Sequence, residues 1–139
     1  MPKLFTLAEA ERTLPLVRRI VADLMGEYPR WRAAVGRFEL LTGGARADWG
    51  ETSEVVVARD DVLTAATRIN EYLKELEAIG CVFKGFDAGL VDFYSLREDR
   101  PIFLCWRLGE DRISHWHEIE AGFGGRQPID SAILSSVSS

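Results

Sequence analysis

The apolar spacing of the first forty residues constrains this chain more than any other feature. Leu7, Ala10, Leu14, Val17, Val21, Leu24, Tyr28, Trp31, Val35 and Phe38 recur at alternating intervals of three and four. That spacing draws a single stripe along a helix, as in a helix packed lengthwise on another helix. The start is also marked. Thr6 is an N-cap residue with Glu9 three positions on, a capping box, and Phe5 precedes it as a staple residue. Pro15 and Pro29 lie beside the stripe. Each costs about 3 kcal/mol in a helix interior, so the sequence predicts a kink or break near each, with the stripe resuming on the same face.

Residues 42–54, TGGARADWGETSE, predict a glycine-rich polar connection. Asp60 or Asp61 then caps a second helix, whose stripe is Val62, Ala66, Ile69, Leu73 and Leu76. Gly80 falls where a helix-ending glycine belongs. Residues 1–80 thus read as an antiparallel helical hairpin. The seam from Tyr28 to Phe38 outruns the roughly 30 Å that such a second helix covers at 1.5 Å per residue. A second copy of the chain is the simplest cover, which predicts a homodimer.

After Gly80 the period changes. Cys81–Phe86, Leu90–Leu96 and Pro101–Leu108 are short, rich in β-branched and aromatic residues, and separated by turn chemistry. They predict an antiparallel meander. Ile113–His117 fits a fourth strand or a helical turn. Residues 121–128, AGFGGRQP, predict irregular structure, and residues 129–139 a frayed tail. The fold expected is a single α+β domain over 1–139: a long antiparallel hairpin with a three- to four-stranded antiparallel meander.

Charge and composition narrow the function classes. The net charge is −5; residues 1–80 hold 11 basic and 13 acidic side chains, and residues 81–139 hold 6 and 9. Neither part has the basic footprint of a nucleic-acid binder. No apolar run approaches the roughly 18 residues of a membrane span, and the N-terminus does not read as a secretory signal. Cys81 and Cys105 form no CxxC pair and read as reduced thiols, which predicts a cytoplasmic protein.

Phosphate-loop, dinucleotide, HExxH and GxSxG motifs are absent. The chemistry gathers in one pentapeptide, His115-Trp116-His117-Glu118-Ile119, followed by Glu120, which holds both histidines of the chain. On a strand, His115 and His117 share a face, and a hairpin turning at Gly109–Asp111 sets Cys105 opposite His115. Cys105, His115 and His117 then form an N/S set suited to zinc or another borderline metal. On a helix, His117 and Glu120 pair instead, as two metal ligands or as a base with its orienting group. Against both stands the commoner case of ordinary surface His and Glu. Asp92 interrupts the apolar run Leu90–Tyr94 and, facing inward, needs a partner; Arg107 and Arg126 are the candidates. Facing outward, it marks the solvent side of an edge strand. Trp106, Trp116 and Phe123 either wall a pocket or belong to the core, core being the more frequent place for large aromatics.

Phe5-Thr6-Leu7, Leu14-Pro15-Leu16-Val17, Gly80-Cys81, Gly89 to Phe93, Leu104 to Glu110, Trp116-His117, Gly122-Phe123 and Gly125-Arg126 together resemble the bacterial Domain of Unknown Function 2203 family. The resemblance covers nearly the whole chain, and its specific part is the C-terminal block. It implies no assigned activity. It singles out Asp92, Trp106, Arg107, Trp116, His117, Gly122, Phe123 and Arg126. The family pattern carries a plain aromatic at position 115, which favours His117 acting with Glu120, Asp92 or an arginine over the three-residue set with His115.

Two functions are expected from these readings. One is a self-associating binding module, or one that takes a protein partner, with a small-ligand site of Asp92, Trp106, Arg107, Trp116 and Arg126. The other is a metal-binding protein or metal-dependent enzyme centred on His117, with Glu120, His115 and Cys105 as further ligands and zinc, iron or manganese as the metal.

Overall fold

The computed structural model describes residues 2–43 and 52–133. The first helix, α1, spans Leu7–Thr42. Both halves of its capping box form: Glu9 N–H donates to Thr6 Oγ1 at 3.0 Å, and Thr6 N–H donates to Glu9 Oε1 at 2.8 Å. Phe5 is buried just ahead of the cap, edge-on to Phe93 with ring centroids 5.2 Å apart. Of the kink or break expected near each proline, no break occurs: α1 is one continuous helix through Pro15 and Pro29. Both prolines are exposed, on the side of the helix away from the core. Packing of the opposite face holds the helix together.

The second helix, α2, spans Ser53–Ile79. It begins earlier than a cap at Asp60 or Asp61 would allow, because Thr52 is the N-cap and accepts from Val55 N–H at 3.2 Å. Val55 and Val56 are thereby helical and half-buried. Most of the predicted 42–54 connection lies outside the described residues. Gly80 ends α2 in the left-handed region, φ 107°, with its N–H on Leu76 O at 3.1 Å. A Cβ there would also press on the Phe5 ring at 3.2 Å.

The chain then forms a sheet of five antiparallel strands in sequential order: β1 (Val82–Gly85), β2 (Leu90–Arg97), β3 (Arg100–Arg107), β4 (His115–Glu118) and β5 (Gln127–Pro128). The α+β meander therefore has one strand more than expected. The segment predicted to be irregular contains a 3₁₀ turn at Phe123–Gly125 and then β5, whose Pro128 stands opposite His115. A proline is tolerated there because β5 is an edge strand. Of the segment expected to fray, residues 129–133 are described. Ile129 N–H donates to Ser114 O at 3.0 Å, and Ile133 is fully buried. Residues 134–139 lie outside the described residues.

One face of the sheet packs on the helices. Val91, Phe93, Leu104, Trp106 and Trp116 meet Leu14, Val17, Val21, Leu24 and Leu76 in a single core. The last buried residue of α1 is Glu27, so the far part of the hairpin extends past this core. Tyr28 stacks on Phe86 at 4.1 Å at the limit of the sheet. Among the described residues, no helix is long and apolar enough to cross a membrane.

Candidate functional site

Side chains alternate across a strand, and the register turns that rule into a site. Asp92 lies opposite Cys105 in the β2–β3 pairing; Cys105 lies opposite His115, and Phe103 opposite His117, in the β3–β4 pairing. All five therefore share the sheet face turned away from the helices. Asp92, Cys105 and His117 are each no more than 2% exposed, which is common for a cysteine but rare for a carboxylate without a partner. One ligating atom from each lies within 4.8 Å of the other two.

The His117 ring is held at both nitrogens. Nδ1 lies 2.8 Å from Glu118 O, a carbonyl that can only accept, so Nδ1 carries a proton. Nε2 lies 3.1 Å from both Asp92 oxygens. An Nε2 lone pair and a bare carboxylate would repel, so a proton or a metal ion belongs between them. Lys84 Nζ approaches the same carboxylate at 3.6 Å and lies 4.5 Å over the Phe103 ring. Asp92 is thus buried, but on the face away from the helical core, and its partners are His117 and Lys84 rather than Arg107 or Arg126. Burial, and then the Asp92 charge, push the Cys105 thiol up to about 12, so without a metal it stays protonated. Burial does the same to Cys81, which is also free.

Arg126 has a different task. Its Nη2 donates to Glu110 Oε1 at 2.8 Å and to Cys105 O at 3.3 Å. Glu110 Oε1 also accepts from Arg107 N–H at 2.8 Å, and Glu110 O accepts from Trp106 Nε1 at 3.0 Å. Partial burial works to raise the Glu110 pKa, but the Arg126 hydrogen bond and the Arg107 N–H outweigh it, and the net shift is downward. This network ties the turn after β3 to the 3₁₀ turn, beside Cys105. The Phe123 ring lies 4.9 Å from the Arg126 guanidinium and 5.8 Å from that of Arg107.

The remaining candidates separate from the cluster. Trp106 and Trp116 point to the opposite face and belong to the core, so they cannot wall a site at His117. His115 shares the site face and stands opposite Cys105 as predicted, but its Nδ1 pairs with Ser114 Oγ at 2.9 Å. It is not within the close cluster. Glu120 is exposed in the turn after β4, and the helical pairing of His117 with Glu120 is not formed because His115–Glu118 is a strand. Sequence reasoning missed Lys84 and Glu110. Lys84 carried a signal, as the charged residue inside the apolar run Cys81–Phe86.

No curated protein and no solved structure matches the chain. A family model described as "Uncharacterized conserved protein (DUF2203)" matches residues 3–129, which includes every residue of the cluster and of the Arg126–Glu110 network. On that match the chain belongs to the DUF2203 family.

Proposed function

We propose that this protein binds a divalent transition metal on the outer sheet face, through His117 Nε2, Asp92 and Cys105. The observation that carries the reading is the Nε2 nitrogen facing both Asp92 oxygens at 3.1 Å while Nδ1 is committed to a carbonyl. Metal-ligating histidines characteristically donate their other ring N–H to such an acceptor. Two bonds of about 2.0–2.1 Å meeting near the tetrahedral angle put their ligand atoms about 3.3 Å apart, close to the separation found here. The mixed N, O and S donor set suits zinc first, and iron or manganese less well because of the thiolate.

The charges support the reading too. A divalent ion replacing one proton at the His117–Asp92 contact and the Cys105 thiol proton leaves the net charge of the group unchanged. Lys84, 39% exposed at its side chain, is free to swing out of the way. The buried thiols, unpaired in the structure, are in keeping with a reducing compartment, and a cytoplasmic setting is part of the proposal.

The test is the metal content of protein purified without chelator, with His117→Ala and Cys105→Ser beside it. One zinc, iron or manganese per chain in the parent, lost in both variants, is the expected result. Substoichiometric metal in the parent, with melting unchanged by added Zn²⁺ or Mn²⁺, would leave the group as an Asp–His ion pair that holds β2 to β4.

A second reading, self-association, rests on the hairpin beyond Glu27. Trp31, Val35 and Phe38 of α1 and Val55 and Val62 of α2 are only half-buried there. A second copy pairing along this overhang would cover them and make a homodimer.

A further inference from the structure

The helical layer contains a cleft that the sheet-face cluster does not touch. Its volume is about 400 Å³, and it lies between α1 and α2. Ala33, Ala34 and Ala65 line it, residues too small to fill the space between the helices. Three guanidiniums border it, Arg30, Arg37 and Arg68, against two carboxylates, Glu27 and Asp61. Three minus two leaves one positive charge in excess, on a chain whose net charge is −5.

Glu27 explains how the arginines are set. It is 4% exposed, the one buried charged residue among those of α1 and α2 that the structure describes. Arg68 Nη1 donates to Glu27 Oε1 at 3.1 Å, and Arg30 Nη1 donates to Glu27 Oε2 at 3.4 Å. Each oxygen thus holds one guanidinium by one nitrogen, from a different helix. A guanidinium has five N–H donors in a fixed fork, so both arginines keep most of their donors for something else. Arg37 stands two turns beyond Arg30 on the same side of α1 and makes no hydrogen bond or ion pair with the described residues. Two neighbouring clefts also share Arg68; one of them, about 370 Å³, adds the Thr67 hydroxyl and the Glu71 carboxylate, and the other adds Asp23.

We propose that this cleft binds a small multivalent oxyanion, of the pyrophosphate or phosphate-ester class, between Arg37 and the pair Arg30–Arg68. Planar guanidinium forks match phosphate oxygens in pairs, and prior anchoring of two of them reduces the ordering cost of binding. Glu27 serves as a positioning residue that is itself neutralised and leaves the outer donors aimed at the ligand. Thr64, on the cleft wall, adds a hydroxyl donor.

Calorimetric titration of the full chain with pyrophosphate, at fixed ionic strength, tests this directly. Saturable binding of one pyrophosphate per chain is expected, weakened about tenfold or more by Arg37→Gln, the loss of one charge-assisted contact. Arg68→Lys should retain part of the affinity, and Arg12→Gln, outside the cleft, should leave it unchanged. Arg37 makes no hydrogen bond or ion pair with a described residue, so its variant is expected to fold, checked by an unchanged melt. Binding that is absent, or that falls equally in Arg37→Gln and Arg12→Gln, would overturn the proposal. The metal assay does not enter this measurement, and either reading can fail without the other.

Discussion

At the scale of single residues, the outer sheet face turns on whether a buried charge has a partner. Asp92 is 2% exposed and is held by His117 and Lys84. Asp92→Asn keeps the shape but removes the charge that both partners answer. It is expected to destabilise by about 1–3 kcal/mol, the range for leaving a buried polar group unsatisfied. A urea midpoint within error of the parent would contradict this. Glu110 gives a prediction in pH. Its pKa is lowered in the folded state from 4.5, so its contribution is fully present above that value and is lost as pH falls through the lower folded value. Glu110→Gln is therefore expected to destabilise by roughly 1–2 kcal/mol at pH 7, as for a hydrogen bond to a charged group, and by less when both proteins are melted at about pH 3. A gap that stays constant with pH would mean that the carboxylate charge does not contribute.

At the scale of elements, the ends of the helices and strands are set by few residues. Gly89, φ 64°, closes the turn between β1 and β2. Its N–H donates to Gly85 O, and its carbonyl accepts from Leu108 N–H at 3.1 Å. A Cβ there would lie 3.0 Å from Leu108 Cβ and 3.3 Å from Val21 Cγ1, between the β3 turn and α1. Gly89→Ala combines left-handed strain with overpacking and is expected to cost about 1–3 kcal/mol. Thermal melts would show it, and an unchanged midpoint would mean that the turn relaxes freely. The capping box at Thr6 and the glycine at Gly80 stand where local chemistry puts them, because a cap is a contact within one turn. The start of α2 does not. Val55-Val56-Val57 looks unlike a helix start by propensity; Thr52 caps it, and Val55 and Val56 are half-buried while Val57 is exposed.

At the scale of the whole molecule, the hairpin is longer than the sheet it covers. The self-association reading predicts that Trp31→Ala with Phe38→Ala shifts sedimentation from dimer toward monomer before it lowers the melt. A lowered melt without a change of oligomer would assign these residues to intramolecular packing of α1 on α2.

The sequence by itself determined the elements: periodicity, capping pairs and turn residues are local, and they are enough for an α+β hairpin and meander. It also placed Cys105 across from His115, because the turn signal at Gly109–Asp111 marks the middle of the seven-residue connection between β3 and β4. Strict alternation puts Trp106 and Cys105, and Trp116 and His117, on opposite faces once these segments are strands, whereas the sequence alone left both tryptophans as pocket wall or core. What only the tertiary structure decided was which sheet face meets the helices, and how Asp92, Lys84 and His117 come together from three strands. Asp92 and His117 are 25 residues apart. Their meeting depends on β3 lying between β2 and β4, on side chains that cross it, and on burial that makes the ion pair matter. None of those is a local property of the chain.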